Sequence, residues 1–131
     1  MHDFHFKNKE LHAENVKISA IAQKVGTPFY VYSYKTLTDH FTKIQKAFAP
    51  VNPLVCFAMK ANGNLAVIKS LIDLGAGIDI VSVGELKKAL IGGVDPKKVV
   101  FASVGKTEEE ISFAIKTGIL LFNVESEPEL A

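Results

Sequence analysis

Lys60 closes an apolar run, Leu54-Val55-Cys56-Phe57-Ala58-Met59, and is followed by Ala61 and Asn62. A lysine amine has an ordinary pKa of ~10.4. Desolvated or set beside another cation, it becomes a nucleophile that forms a Schiff base with an aldehyde. Side chains alternate along a strand, so an extended run would put Lys60 on one face with Ala58, Cys56 and Leu54. Val55, Phe57 and Met59 would face covering helices. Ala58, small and next to Lys60 on that face, leaves room beside the amine. On spacing alone two readings stand: a reactive amine at the mouth of a sheet, or a lysine that ends a strand and reaches solvent.

Asp79 is the second residue of interest, a carboxylate within the apolar stretch Gly77-Ile78-Asp79-Ile80-Val81. Burying a carboxylate is costly unless it is paired. Asp79 therefore either serves a site or makes a salt bridge or helix-start contact. Glu85 follows Ser82 by three residues, and a helix cap already accounts for it. Two other signals fail. Gly105-Lys106-Thr107 looks like the end of a phosphate-binding loop, but that motif needs a glycine where Val100 stands. His2, His5, His12 and His40 are scattered without a partner set of ligand spacing, so no metal site is expected.

The elements that must position Lys60 and Asp79 repeat. Apolar runs at 54–58, 77–81, 99–103 and 119–124 begin 23, 22 and 20 residues apart. Each is rich in Val, Ile, Leu or Phe with little alternation, as parallel strands buried on both faces are. Helical stripes lie between them: Leu65, Ile68, Leu71 and Ile72; Leu86, Ala89 and Leu90; Ile111, Ala114 and Ile115. Ser82…Glu85, Thr107…Glu110 and Ser126…Glu129 each fit a capping box. Gly75, Gly92 and Gly118 fall where helices should end, and glycine tolerates the left-handed conformation required there. The spacing predicts consecutive βα units and a parallel sheet. Upstream it predicts a helix over 15–25, a strand over 27–32 and a helix over 34–48.

The chain has 131 residues, 48% of them hydrophobic, and its fifteen basic residues nearly balance fourteen acidic ones. A net charge of +1 gives no ground for a nucleic-acid or anionic-membrane partner. One cysteine, Cys56, suits a reducing compartment. No apolar stretch approaches the ~20 residues of a membrane span, and residues 1–10 do not read as a signal peptide. The expectation is a cytoplasmic protein.

Phe57-Ala58-Met59-Lys60-Ala61-Asn62 resembles the motif of fold-type III pyridoxal-phosphate decarboxylases, whose lysine carries the cofactor. The segments Gly26–Tyr32, Leu74–Leu86, Val104–Thr107 and Phe122–Ser126 are similar to the branch of that family acting on diaminopimelate, in the same order along nearly the whole chain. The resemblance implies the first half of a (β/α)8 TIM-type barrel of the alanine-racemase-like fold, with about four of its βα units. It implies pyridoxal 5'-phosphate as cofactor, Lys60 as the catalytic and cofactor-anchoring residue, and Ala58 and Asp79 beside the cofactor. It implies decarboxylation of meso-2,6-diaminopimelate to L-lysine by a full-length homodimer, with no nucleic-acid or membrane partner. Residues 1–33 would lead into the barrel and contribute to a second domain; residues 34–131 would be the half-barrel. The alternatives are a decarboxylase of the same fold acting on ornithine, arginine or a carboxy-polyamine, and a non-catalytic cofactor-binding protein. A barrel of this type closes with eight units, and the last helix has barely begun at Ala131. The expectation is a truncated piece of a longer enzyme, inactive alone.

Overall fold

The four apolar runs become four strands of one parallel sheet: β4 (Cys56–Ala58), β5 (Gly77–Ile80), β6 (Val99–Ala102) and β7 (Leu121–Asn123), side by side in that order. Helices α3 (Leu65–Ile72), α4 (Val83–Ile91) and α5 (Glu108–Thr117) connect them, and α6 (Glu127–Leu130) follows β7. These are four consecutive βα units, as the spacing predicts. The computed structural model describes residues 2–130 and divides into two units between Lys43 and Ile44.

Register assigns a face to every strand residue, because partners across a parallel pair point the same way. Phe57 lies opposite Ile78, Ile78 opposite Val99, Ile80 opposite Phe101, and Phe101 opposite Phe122. That face meets Ile68 of α3, Leu86 and Ala89 of α4 and Ala114 of α5 in one core cluster. Ile78, Ile80, Val99 and Phe101 are fully buried, and burying such a side chain contributes about 1.5–3 kcal/mol. The second face carries Cys56, Ala58, Gly77, Asp79, Val100, Ala102, Leu121 and Asn123. Apart from Gly77 these residues are half-buried or exposed. The strands are thus buried on one face rather than two, since none of the described residues forms a layer over the other. Gly77 is required by close approach: a Cβ there would sit 2.6 Å from Cys56 Sγ and 2.6 Å from the Lys98 carbonyl oxygen.

The three expected capping boxes differ. Thr107 and Glu110 form a complete one at the start of α5. At α4 the Ser82 hydroxyl accepts from the Glu85 amide at 3.2 Å, while the Glu85 carboxylate reaches one residue further back to the Val81 amide at 2.7 Å. At α6 no box forms, because Glu129 turns its carboxylate to Lys106 and the Glu125 amide. Gly118 ends α5 in the left-handed conformation. After α4 that role falls to Gly93 (φ 88) rather than to Gly92, which stays right-handed.

The N-terminal unit holds a small antiparallel sheet absent from the sequence expectations: β1 (Phe4–Lys7), β2 (Glu10–Ala13) and β3 (Val16–Lys17). Asn8 and Lys9 both have positive φ (51 and 65) in the two-residue turn between β1 and β2, the backbone that suits the twist of a hairpin. Helix α1 spans Ile18–Val25, shorter than expected because residues 16–17 pair in the sheet instead, and α2 spans Tyr34–Ala47. The expected strand over 27–32 does not form. Those residues pair with no strand, Tyr30 is 90% exposed, and Pro28 has no amide to donate. The Glu14 carboxylate accepts from the Ser33 hydroxyl and the Lys35 amide, both at 2.8 Å, tying β2 to the start of α2.

Candidate active site

Strand β4 stops at Ala58, and Met59–Ala61 turns in a single 3-10 turn. Lys60 is therefore presented by a tight turn at the C-terminal end of the strand, not by strand alternation. Met59 anchors the turn: it is 1% exposed and belongs to the core cluster with Ile68 and Leu86. Lys60 is exposed, and its amine joins no hydrogen bond or ion pair among the described residues. The C-terminal end of a parallel sheet is where barrel enzymes assemble their sites.

Asp79 sits on β5 directly opposite Ala58, on the open face. Its Oδ1 is buried with no hydrogen-bond partner. Burial pushes the Asp79 carboxyl above the usual range, and the nearby Lys60 charge pulls it back only in part. Cys56 shares the face, and burial, with the Asp79 charge second, raises its thiol. Ala58, half-buried, separates Cys56 from the Lys60 turn. An orphan carboxylate oxygen beside a free amine is a pair that can hold a proton and meet a polar ligand.

The Lys60 turn also borders an open cleft of about 440 Å³ whose other walls include Ser82, Glu85 and Lys88. Lys88 was not singled out by sequence. Its Nζ donates to the Gly63 carbonyl at 3.1 Å and so steadies the chain just after Lys60. Glu85 lines this cleft while its carboxylate serves Val81, so the capping role and the position near Lys60 coexist.

Lys106, set aside in the sequence as part of a failed phosphate loop, is buried. Its side chain is 0% exposed, and Nζ donates to the Ser103 carbonyl at 2.7 Å, the Asn123 carbonyl at 2.8 Å and the Glu129 carboxylate. Nζ also lies 5.7 Å from the centre of the Phe101 ring. Only the Gly-Lys-Thr signal pointed to Lys106, and it pointed to other chemistry.

Residues 34–131 match the family described as "Pyridoxal-dependent decarboxylase, pyridoxal binding domain". The diaminopimelate decarboxylase of Neisseria meningitidis serogroup B is 52% identical over 120 residues, which are 92% of this chain and 29% of that protein. The diaminopimelate decarboxylase of Pseudomonas aeruginosa is 48% identical over 99% of this chain and 31% of its own length. The crystal structure of diaminopimelate decarboxylase from M. jannaschii in co-complex with L-lysine superposes with a TM-score of 0.92. It is 35% identical over 97% of this chain and 31% of that one. The chain thus spans about 30% of the length of the relatives it matches. Its four βα units correspond to the N-terminal half of the barrel of these α/β enzymes.

Proposed function

The chain belongs to the pyridoxal-dependent decarboxylases, and on that premise we propose that it is the N-terminal part of an enzyme that decarboxylates meso-2,6-diaminopimelate to L-lysine. Lys60 holds pyridoxal 5'-phosphate. The observation that carries this reading is the juxtaposition at the C-terminal end of the sheet. There a free amine on a buried-Met59 turn stands next to a strand whose Asp79 Oδ1 lacks a partner. The substrate follows the names of the similar proteins.

The residues present fit such a cofactor. The Asp79 Oδ1 lacks a hydrogen-bond partner, Ala58 opposite it is small, and the open sheet face offers a floor. When bound, pyridoxal phosphate supplies the electron sink for the carbanion left by loss of carbon dioxide. Lys60 would anchor it, and its amine, when not engaged in that role, would hold a proton for return to the product. Asp79, whose carboxyl is raised by burial, would pair with the Lys60 ammonium, the charge that already offsets part of that burial. Lys88 holds the Gly63 carbonyl and limits how far the Lys60 turn can drift.

In this reading residues 34–131 supply the first half of the barrel, and residues 1–33, with their separate antiparallel sheet, lead into it and contribute to a second domain. The working form is a homodimer in a reducing, cytoplasmic setting. The dimer rests on the family resemblance, and the compartment rests on a lone Cys56. No helix among the described residues is long and apolar enough to cross a membrane.

Borohydride reduction of the full-length holoenzyme followed by peptide mapping tests the assignment. The cofactor label is expected on the peptide containing Lys60, and Lys60→Ala should remove both the visible absorbance of the bound cofactor and nearly all turnover of meso-diaminopimelate. A label on Lys69 or Lys106 instead would overturn it.

A further inference from the structure

A buried ammonium is costly unless every donor finds an acceptor. Lysine has three donors, and Lys106 places them on the Ser103 carbonyl, the Asn123 carbonyl and the Glu129 carboxylate. Ser103 follows the last residue of β6, and Asn123 is the last residue of β7. One side chain therefore fixes the ends of two neighbouring strands, at the same end of the sheet as Lys60. Packing alone does not call for this, because an apolar side chain over Phe101 would fill the volume without the desolvation cost.

Asn123 pairs with Ala102, two residues beyond the Val100–Leu121 pair, and lies on the same face as Ala58 and Asp79. Its side chain emerges on the open face, exposed, and its amide makes no hydrogen bond among the described residues. Between β4 and β7 lie three strand spacings, about 14 Å on a flat sheet and less across a curved one. A cofactor and substrate held at Lys60 would lie over this same face.

We propose that Asn123 contacts an oxygen of the ligand held at Lys60, and that Lys106 is its positioning residue, setting the Asn123 main chain so that the amide faces that ligand. The inference rests on Lys60 being the cofactor anchor. The oxygen belongs either to pyridoxal phosphate or to the amino-acid substrate, and two measurements separate these sources: the Kd of the apoenzyme for pyridoxal phosphate, and KM for meso-diaminopimelate.

The experiment is a double-mutant cycle in the full-length enzyme with Asn123→Ala, Lys106→Met and both together. Asn123→Ala, at an exposed position, is expected to leave Tm unchanged. It should raise one of the two constants about five- to tenfold, the loss of one hydrogen bond. A change in Kd assigns the contact to the cofactor, and a change in KM alone assigns it to the substrate. Lys106→Met should raise the same constant, and the double variant should fall well short of the product of the single effects. A structural lysine would lower Tm without that coupling. Fully multiplicative effects, or an Asn123→Ala enzyme with both constants within about twofold of wild type, overturn the proposal. The Asn123→Ala result decides by itself should Lys106→Met not fold. Loss of the Lys60 label in the borohydride experiment would instead strike the cofactor assignment, leaving the two failures distinct.

Discussion

A carboxylate oxygen without a hydrogen-bond partner in the middle of a sheet is expensive, and Asp79 carries that cost on β5. Burial raises its carboxyl above the ordinary value of 3.8. The native chain therefore binds the Asp79 proton more tightly than the unfolded chain does. The associated stability is complete below 3.8 and is lost as pH rises through the folded value. Near neutral pH the ionised side chain opposes folding of the cofactor-free protein. Asp79→Asn, equal in shape but uncharged, should then melt at or above wild type near neutrality, with the gap closing in acid. In the holoenzyme kcat/KM should fall at least about tenfold, as for loss of a proton-holding group. Melting curves across pH, set beside steady-state kinetics, check both halves; a collapsed Tm with normal turnover would make Asp79 structural. Asp79 and Lys60 stood out in the sequence because each is a charge at or within an apolar run. Lys106 did not, because its meaning depends on Asn123 and Glu129, 17 and 23 residues away. Their approach exists only in the folded chain.

At the level of elements, equal sequence patterns gave unequal caps. Thr107 and Glu110 satisfy each other at α5, whereas the matching Ser126 and Glu129 share only a main-chain hydrogen bond, because the Glu129 carboxylate goes to Lys106 and the Glu125 amide. Thr107→Ala should cost about 1 kcal/mol, the usual loss at an N-cap, and Ser126→Ala about half of that or less. Urea midpoints at constant m-value measure the difference, and equal costs would show that the α6 box forms in solution. The strands and helices from 54 onward were readable because one face of each packs into a shared core, which imposes period and spacing. The β1–β2–β3 sheet was not. Its residues are mostly exposed, and turns through Asn8, Lys9 and Glu14 lack the glycine that usually marks them. The stretch 27–32 shows the converse. Its β-prone residues specify an extended backbone, but a strand also needs a neighbour, and no sequence pattern guarantees one.

For the molecule as a whole, the two outer strands of the parallel sheet decide its behaviour. β4 and β7 are each hydrogen-bonded to one neighbour among the described residues, so each offers a row of unpaired amides and carbonyls, a template for another chain. Leu121, 44% exposed on the open face of β7, adds apolar surface at that edge, and Val124 beyond it is 48% exposed. Exposed apolar side chains at an unpaired edge favour association. The 131 residues expressed alone should therefore associate into dimers or larger species through β7. They should show no turnover of meso-diaminopimelate with added pyridoxal phosphate, because the four units present leave one face of the sheet uncovered and a barrel of this type closes with eight. Leu121→Lys puts a charge on that face at the edge, the device natural edge strands use against pairing. It should shift sedimentation toward monomer and speed amide exchange in β7, while leaving the buried β5 and β6 amides protected. A wild-type monomer with slow exchange in β7, sedimenting identically to Leu121→Lys and turning over substrate, would show that the four units form a closed, self-sufficient site.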